Sequence, residues 1–197
     1  MTPSKLATAT TGAAESAREG TVAVGALVGF AALAMTFAAL LLAYGLVRIQ
    51  AGVWPPANEA HLPMSMWPWP VGATATAGLG SAAMYRATRT WGTKRASALL
   101  SMAGLAGIAF VLIQVSGARG LLNRGIRPSA GIATSVVYAL TAFHAIHALA
   151  ATIAIGCLLV AIARGRDVRA GARNAVATFV HLVAGLWLIL CAAVFVL

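Results

Sequence analysis

Five long apolar stretches fill this 197-residue chain, and no Asp or Glu lies inside any of them. The four acidic residues, Glu15, Glu19, Glu59 and Asp167, all fall in polar segments before or between the stretches. The hydrocarbon core of a bilayer is about 30 Å thick and takes about 20 apolar residues in a helix to cross. Charge is costly at that depth. The pattern therefore predicts an all-α integral membrane bundle of five transmembrane helices. It also denies this chain, on its own, any chemistry that needs a carboxylate inside the bilayer.

The spans are expected at about 22–47, 67–85, 96–116, 132–163 and 175–197. Residues 1–21 read as a polar, loosely ordered N-terminal tail and 22–197 as one transmembrane domain. The first apolar run is too long for the core of a signal peptide. A connection rich in proline and tryptophan, RIQAGVWPPANEAHLPMSMWPWP, separates the first two spans. Its prolines disfavour helix, and Trp54, Trp67 and Trp69 suit the membrane–water boundary. The second span is the least apolar. It carries Thr74, Thr76, Ser81 and many small residues, which can bond to backbone or to adjacent helices, so it belongs among other helices. The fourth stretch exceeds what a perpendicular helix needs and must tilt or project.

Only 9% of the residues are charged, against roughly 25% in a soluble domain. The net charge of +10 comes from bases in short loops, so it reports topology rather than nucleic-acid binding. Lys5, Arg18, Arg86, Arg89, Lys94, Arg95, Arg164, Arg166, Arg169 and Arg173 fall on one side of a five-span chain. Arg48, Arg119, Arg124 and Arg127 fall on the other. The bias predicts a cytoplasmic N-terminus and an outside C-terminus. Cys157 and Cys191 lie inside apolar runs and read as small packing residues. Gly25 and Gly29 form a GxxxG, read as close helix packing inside the bundle.

Three histidines sit in the apolar runs: His144 and His147 in the fourth and His181 in the fifth. A protonatable group in a span is a functional candidate. Two histidines on facing helices could hold a haem iron. Depth speaks against that pairing: counted from the expected helix ends, His147 and His181 differ by about 15 Å. The alternative is a set of histidines bonded to adjacent helices or to lipid headgroups. Gln114 reads as a satisfied amide facing a neighbouring helix or a partner. Met64 and Met66 beside His61 form a weak soft-metal pattern that lacks a thiolate. No phosphate-binding loop, nucleophile elbow or Cys/His metal cluster is present in the sequence.

The order of these features resembles subunit III of haem–copper cytochrome oxidases in its five-helix bacterial form. The first span ends FAALLLAYGLVR, Phe37 to Arg48. Trp54-Pro55-Pro56 followed by Leu62-Pro63 is similar to the family's WPP…LP connection. GIAFVLIQ, Gly107 to Gln114, is similar to its G-x-x-F-x-x-x-Q. FHAIHALAATIAIGCLLVAIAR carries His144, His147, Gly156 and Arg164 at the family's spacing, and His181 and Trp187 match the pattern of its last helix. The chain departs from the family where a buried Glu is usual, with Leu33 or Ala34 there, and where an acid follows the Gln, with Ser116-Gly117-Ala118. Val180 and Ala184 replace the Trp and Asp around the last His.

The resemblance implies a non-catalytic integral subunit of a respiratory terminal oxidase in a bacterial cytoplasmic membrane, with no active site of its own. Such a subunit packs on catalytic subunit I beside subunit II, binds phospholipid and supports proton uptake and stability of the complex. Haem and copper belong to the partner, and no nucleic acid is involved. His144, His147, His181, Trp187, Arg48, Gln114 and Arg164 are the residues it marks for subunit or lipid packing. The alternatives are an accessory subunit of a nitric oxide reductase or a haem-b membrane anchor of a reductase.

Overall fold

A computed structural model describes residues 3–56, 59 and 64–196. Among them every long element is helical: α1 (Pro3–Gln50), α2 (Pro68–Arg89), α3 (Lys94–Asn123), α4 (Ile132–Ala163) and α5 (Ala170–Cys191). The segment expected to be loose is part of α1, which is 48 residues long. Its first part is rich in Ala, the strongest helix former, and its proline stands at the first helical position, where the missing N–H costs nothing.

Four of these helices, not five, are long and apolar enough to cross a bilayer: Ala23–Gln50, Lys94–Asn123, Ile132–Ala163 and Ala170–Phe195. They make the chain a multi-pass membrane protein by length and composition. The expected second span, α2, is a helix of 22 residues that falls short in hydropathy. Its threonines, serine and glycines, with Arg86 and Arg89 in the last turn, account for the shortfall. Pro68 and Pro70 open it, in the first turn where prolines are tolerated.

The helix ends are set locally. Thr93 accepts from the Ala96 amide at 3.3 Å and starts α3. α3 and α4 each stop at a glycine with positive φ, Gly125 (78°) and Gly165 (66°). There the amides of Ile126 and Arg166 fold back onto Leu121 and Ala161 carbonyls. α4 starts differently. Its first amides are capped from far away in the sequence: Glu59 Oε1 accepts from Ile132 N at 2.7 Å, and Oε2 from Ala133 N at 2.9 Å. A side chain at Gly131 would overlap the Glu59 carboxylate, so this cap requires glycine there.

α2, α3, α4 and α5 pack closely, and small residues set their spacing. Gly80 on α2 lies against Ala106 and the Ala103 carbonyl of α3. Gly107 on α3 makes room for Thr152 on α4, and Gly117 on α3 for the Trp69 ring on α2. The deepest side chains include Trp187, Phe37, Met84, Leu100, Leu190 and His144. α1 lies at the edge of this group. It sends Phe37 and Tyr44 inward, and Phe30 stacks on Phe179 of α5. Gly25 and Gly29 meet nothing within 4 Å, so the GxxxG is not a seam within this chain. Its helix is peripheral, and the motif lies on an exposed face. Cys157 is also exposed rather than packed; Cys191 is half-buried, its Sγ 4.0 Å from the Thr74 hydroxyl.

Candidate functional site

The residues singled out from sequence do not form one site. They fall into small clusters, each placed by a different pair of helices. At the centre is His144 of α4, 1% exposed. Its ring lies among Phe37 of α1, Phe110 of α3 and Trp187 of α5, at centroid distances of 5.8, 5.5 and 5.5 Å. Neither ring nitrogen has a hydrogen-bond partner among the described residues. The expectation that every histidine bonds to an adjacent helix or to a headgroup therefore fails for His144, because all three nearest rings are aromatic carbon faces and edges.

His147, one turn on, shares the Phe37 contact with α1. Its ring lies 5.8 Å from Phe37 and 4.6 Å from Phe143, and its Nδ1 is 2.7 Å from the Phe143 carbonyl of its own helix. His181 of α5 faces α2, with Nδ1 2.7 Å from the Ser81 hydroxyl. The depth argument also changes. α5 begins at Ala170 rather than Ala175, which brings His147 and His181 to within about 8 Å in depth. Direction now separates them: one ring points to α1, the other to α2. Among the described residues no group of three or more His, Cys, Asp or Glu converges as a metal site. His61 lies outside the described residues, so its grouping with Met64 and Met66 is not placed.

The remaining candidates are structural contacts between helices. Trp187 is fully buried and donates its indole N–H to the Thr74 hydroxyl of α2 at 3.0 Å. Gln114, 3% exposed, accepts from the Trp69 indole at 2.9 Å. Its amide nitrogen has no partner among the described residues, so the amide is half satisfied. Arg48 donates to the Tyr44 hydroxyl at 2.9 Å, and that hydroxyl donates to the Ala193 carbonyl at 3.1 Å. Trp54 packs edge-on against Tyr44 at 5.5 Å, which holds the start of the connection on the end of α1. Arg164 is exposed after the last residue of α4 and joins none of these clusters.

Two contacts were not anticipated. One is the Glu59 cap of α4, whose only sequence signal is a lone acid in a proline-rich connection. The other is Arg173 of α5, 5.3 Å above the Trp91 ring, joining α5 to the α2–α3 turn. These clusters bind helices to one another; Ser81 and His181 form a serine–histidine pair across α2 and α5, and no converging ligand set is present among the described residues.

No family model matches the chain, and no curated protein matches it in sequence. The fold and composition define a multi-pass helical membrane protein.

Proposed function

We propose that the chain is a non-catalytic, subunit III-like component of a respiratory haem–copper terminal oxidase in a bacterial cytoplasmic membrane. It packs on the catalytic subunit, beside subunit II, and holds phospholipid against that interface. Haem and copper reside in the partner. Its contribution is to the stability of the complex and to sustained proton uptake, by a route without the buried Glu that the resembling family usually has.

One observation supports this reading. Several residues that carry the resemblance sit at helix contacts, and three of them, from α3, α4 and α5, meet although they lie far apart in sequence. Phe110, His144 and Trp187 share the centre of the bundle. Gln114 receives the Trp69 indole, and Tyr44 links Arg48 with Trp54. Those motifs would then specify how the helices pack, as in a subunit whose work is assembly. The test is to isolate an affinity-tagged chain from its native membranes in mild detergent. A copurifying large subunit with a haem–copper spectrum is expected. Isolation of the chain with its own haem, or with no haem protein at all, would reject the reading.

We further propose five crossings with a cytoplasmic N-terminus. α2 runs back along α3, from the Thr93 turn at one end to the Trp69–Gln114 bond at the other. At 1.5 Å per residue its length is about 33 Å, enough to cross beside α3 while adjacent helices cover its polar positions. In a cysteine-free background, cysteines at Ser65 and Thr93 should be labelled from opposite sides of the membrane. Cysteines at Gly52 and Arg124 should report the outside, and one at Gly171 the cytoplasm. Labelling of Ser65 and Thr93 from the same side would remove α2 from the membrane.

A further inference from the structure

Most hydroxyls inside the helices serve their own helix. Thr74 and Thr76 of α2 donate back to the Pro70 and Gly72 carbonyls, and Thr141 and Thr152 of α4 to those of Val137 and Ala148. Ser81 is turned the other way. Its one hydrogen bond among the described residues joins the hydroxyl to Nδ1 of His181 on α5, 2.7 Å away. With no other acceptor in reach the serine donates, and the proton of the neutral ring then stands on Nε2. Nε2 has no partner among the described residues, and it is not sealed inside the bundle. The pair lines an open groove of about 630 Å³ between α2 and α5. Small-molecule sites span roughly 300–1,000 Å³. One face of each helix forms it, with Gly78, Ser81 and Tyr85 from α2 and His181, Ala184 and Gly185 from α5.

The groove offers two donors on an otherwise apolar wall. One is the Nε2–H of His181. The other is the hydroxyl of Tyr85, one turn from Ser81 and half exposed. Thr74 also lines the groove, but its hydroxyl donates to Pro70 and accepts from Trp187. Gly78 and Gly185 have open space where a side chain would begin, so a flat ring can lie against them. Depth selects the ligand. His181 stands about 2 Å from the middle of the span Ala170–Phe195, and Ser81 about 4 Å from the middle of α2. Phospholipid headgroups begin about 15 Å from the midplane of a bilayer. A ligand here must dissolve in the hydrocarbon whole and carry its acceptor oxygens there. We propose that the groove binds an isoprenoid quinone, with its ring against Gly78 and Gly185. One carbonyl accepts from His181 and the other from Tyr85, and the tail extends into lipid. Ser81 is a positioning residue that fixes the tautomer of His181. Both members of the pair stand inside helices, whose amides are used in helix bonds, so no oxyanion donor faces the groove and the pair serves recognition. The site stands whether or not an oxidase is the partner. The depth of Ser81 rests on the proposed crossing by α2; that of His181 does not.

The experiment uses the full chain in vesicles of phosphatidylethanolamine and phosphatidylglycerol with a photoactivatable azido-ubiquinone. Labelled peptides are read by mass spectrometry. Saturable label on α2 and α5 is expected, displaced by decylubiquinone but not by decylbenzene, which has the ring and tail without the carbonyls. Gly78→Leu fills the groove from a position with open space around it and should abolish the saturable label. His181→Phe should weaken binding about tenfold, the effect of one lost hydrogen bond. His181→Gln keeps a donor and should recover most of it. Ser81→Ala should redistribute the His181 ring between its two tautomers, read from ¹⁵N imidazole shifts, with a smaller loss of binding. Detergent-driven unfolding checks that each variant is folded. Label that never saturates and follows lipid exposure, α1 included, would mean partition into lipid alone and would overturn the proposal. Equal displacement by decylbenzene would do the same, as would undiminished label in folded Gly78→Leu or His181→Phe. None of these results bears on the oxidase reading, which stands or falls on the copurifying subunit.

Discussion

α1 and α2 invert the usual relation between apolarity and burial. The most apolar part of α1 is only 6% buried within the chain, with Leu27 68% exposed and Met35 73% exposed. α2 fails the hydropathy of a span, yet Ala73, Met84 and Ala87 are completely buried, and its hydroxyls and indole bond to α3 and α5. In water, apolar residues mark the core. In a bilayer, lipid tails are as apolar as leucine, so helix contacts are made by small residues, close approach and hydrogen bonds. α1 has the composition of a helix surrounded by lipid or by a partner, and α2 that of one surrounded by its own chain.

Substitutions on the two helices and their contacts can break this comparison. The largest effect is expected for Trp187→Ala, which removes the fully buried indole that bonds to α2. A loss of about 3–5 kcal/mol is expected, read by detergent-driven unfolding in mixed micelles. Leu27→Ala on α1 should stay within about 0.5 kcal/mol of the parent chain in the same assay. Equal losses would mean that α1 is as firmly integrated as the other helices.

Gly117→Ala comes next. Its methyl group would overlap the Trp69 ring, so the ring must move and the bond to Gln114 break, at a cost of about 1–3 kcal/mol. An unchanged unfolding midpoint would show that α2 does not rest on α3 through this contact. Glu59→Ala removes an N-cap and should cost about 0.5–2 kcal/mol. Faster hydrogen exchange confined to the first amides of α4, Ile132 to Thr134, is the signature to look for. The smallest effect should come from Gly29→Ala on α1, which has open space around it. Helix propensity alone favours alanine by about 1 kcal/mol at most. A marked loss of stability of the isolated chain would place that face in an internal contact. Loss of assembly with intact stability would instead assign it to a partner.

The same comparison shows what could be read from sequence. The helices α3, α4 and α5 follow directly from apolar runs bounded by Arg, Gly and Pro. The polarity of α2 led to the expectation that it lies among other helices, and its packing agrees. Its low apolarity is legible in the sequence; counting it as a span is what its hydropathy does not support, because Thr74, Thr76 and Ser81 count against a span even where each finds a partner. The direction of each histidine was not legible. His144 and His147 are one turn apart and share Phe37, yet His144 also packs on Phe110 and Trp187, because a ring's surroundings depend on where neighbouring helices stand. The GxxxG misled because Gly and Ala recur in every helix and say nothing about which face meets protein. The Glu59 cap joins residues more than seventy positions apart, and no local pattern marks such a bond.

That cap bears on how the protein is made. Glu59 leaves the ribosome with α1, but Ile132, Ala133 and Thr134 follow only after α2 and α3. The connection behind α1 thus has no latch until a third later helix begins. The other contacts of α1 include Phe37 with α4, Phe30 with α5 and Tyr44 with the Ala193 carbonyl, so these too close only after α3 is made. A chain stopped before Ile132 would have α1 inserted but not yet fastened.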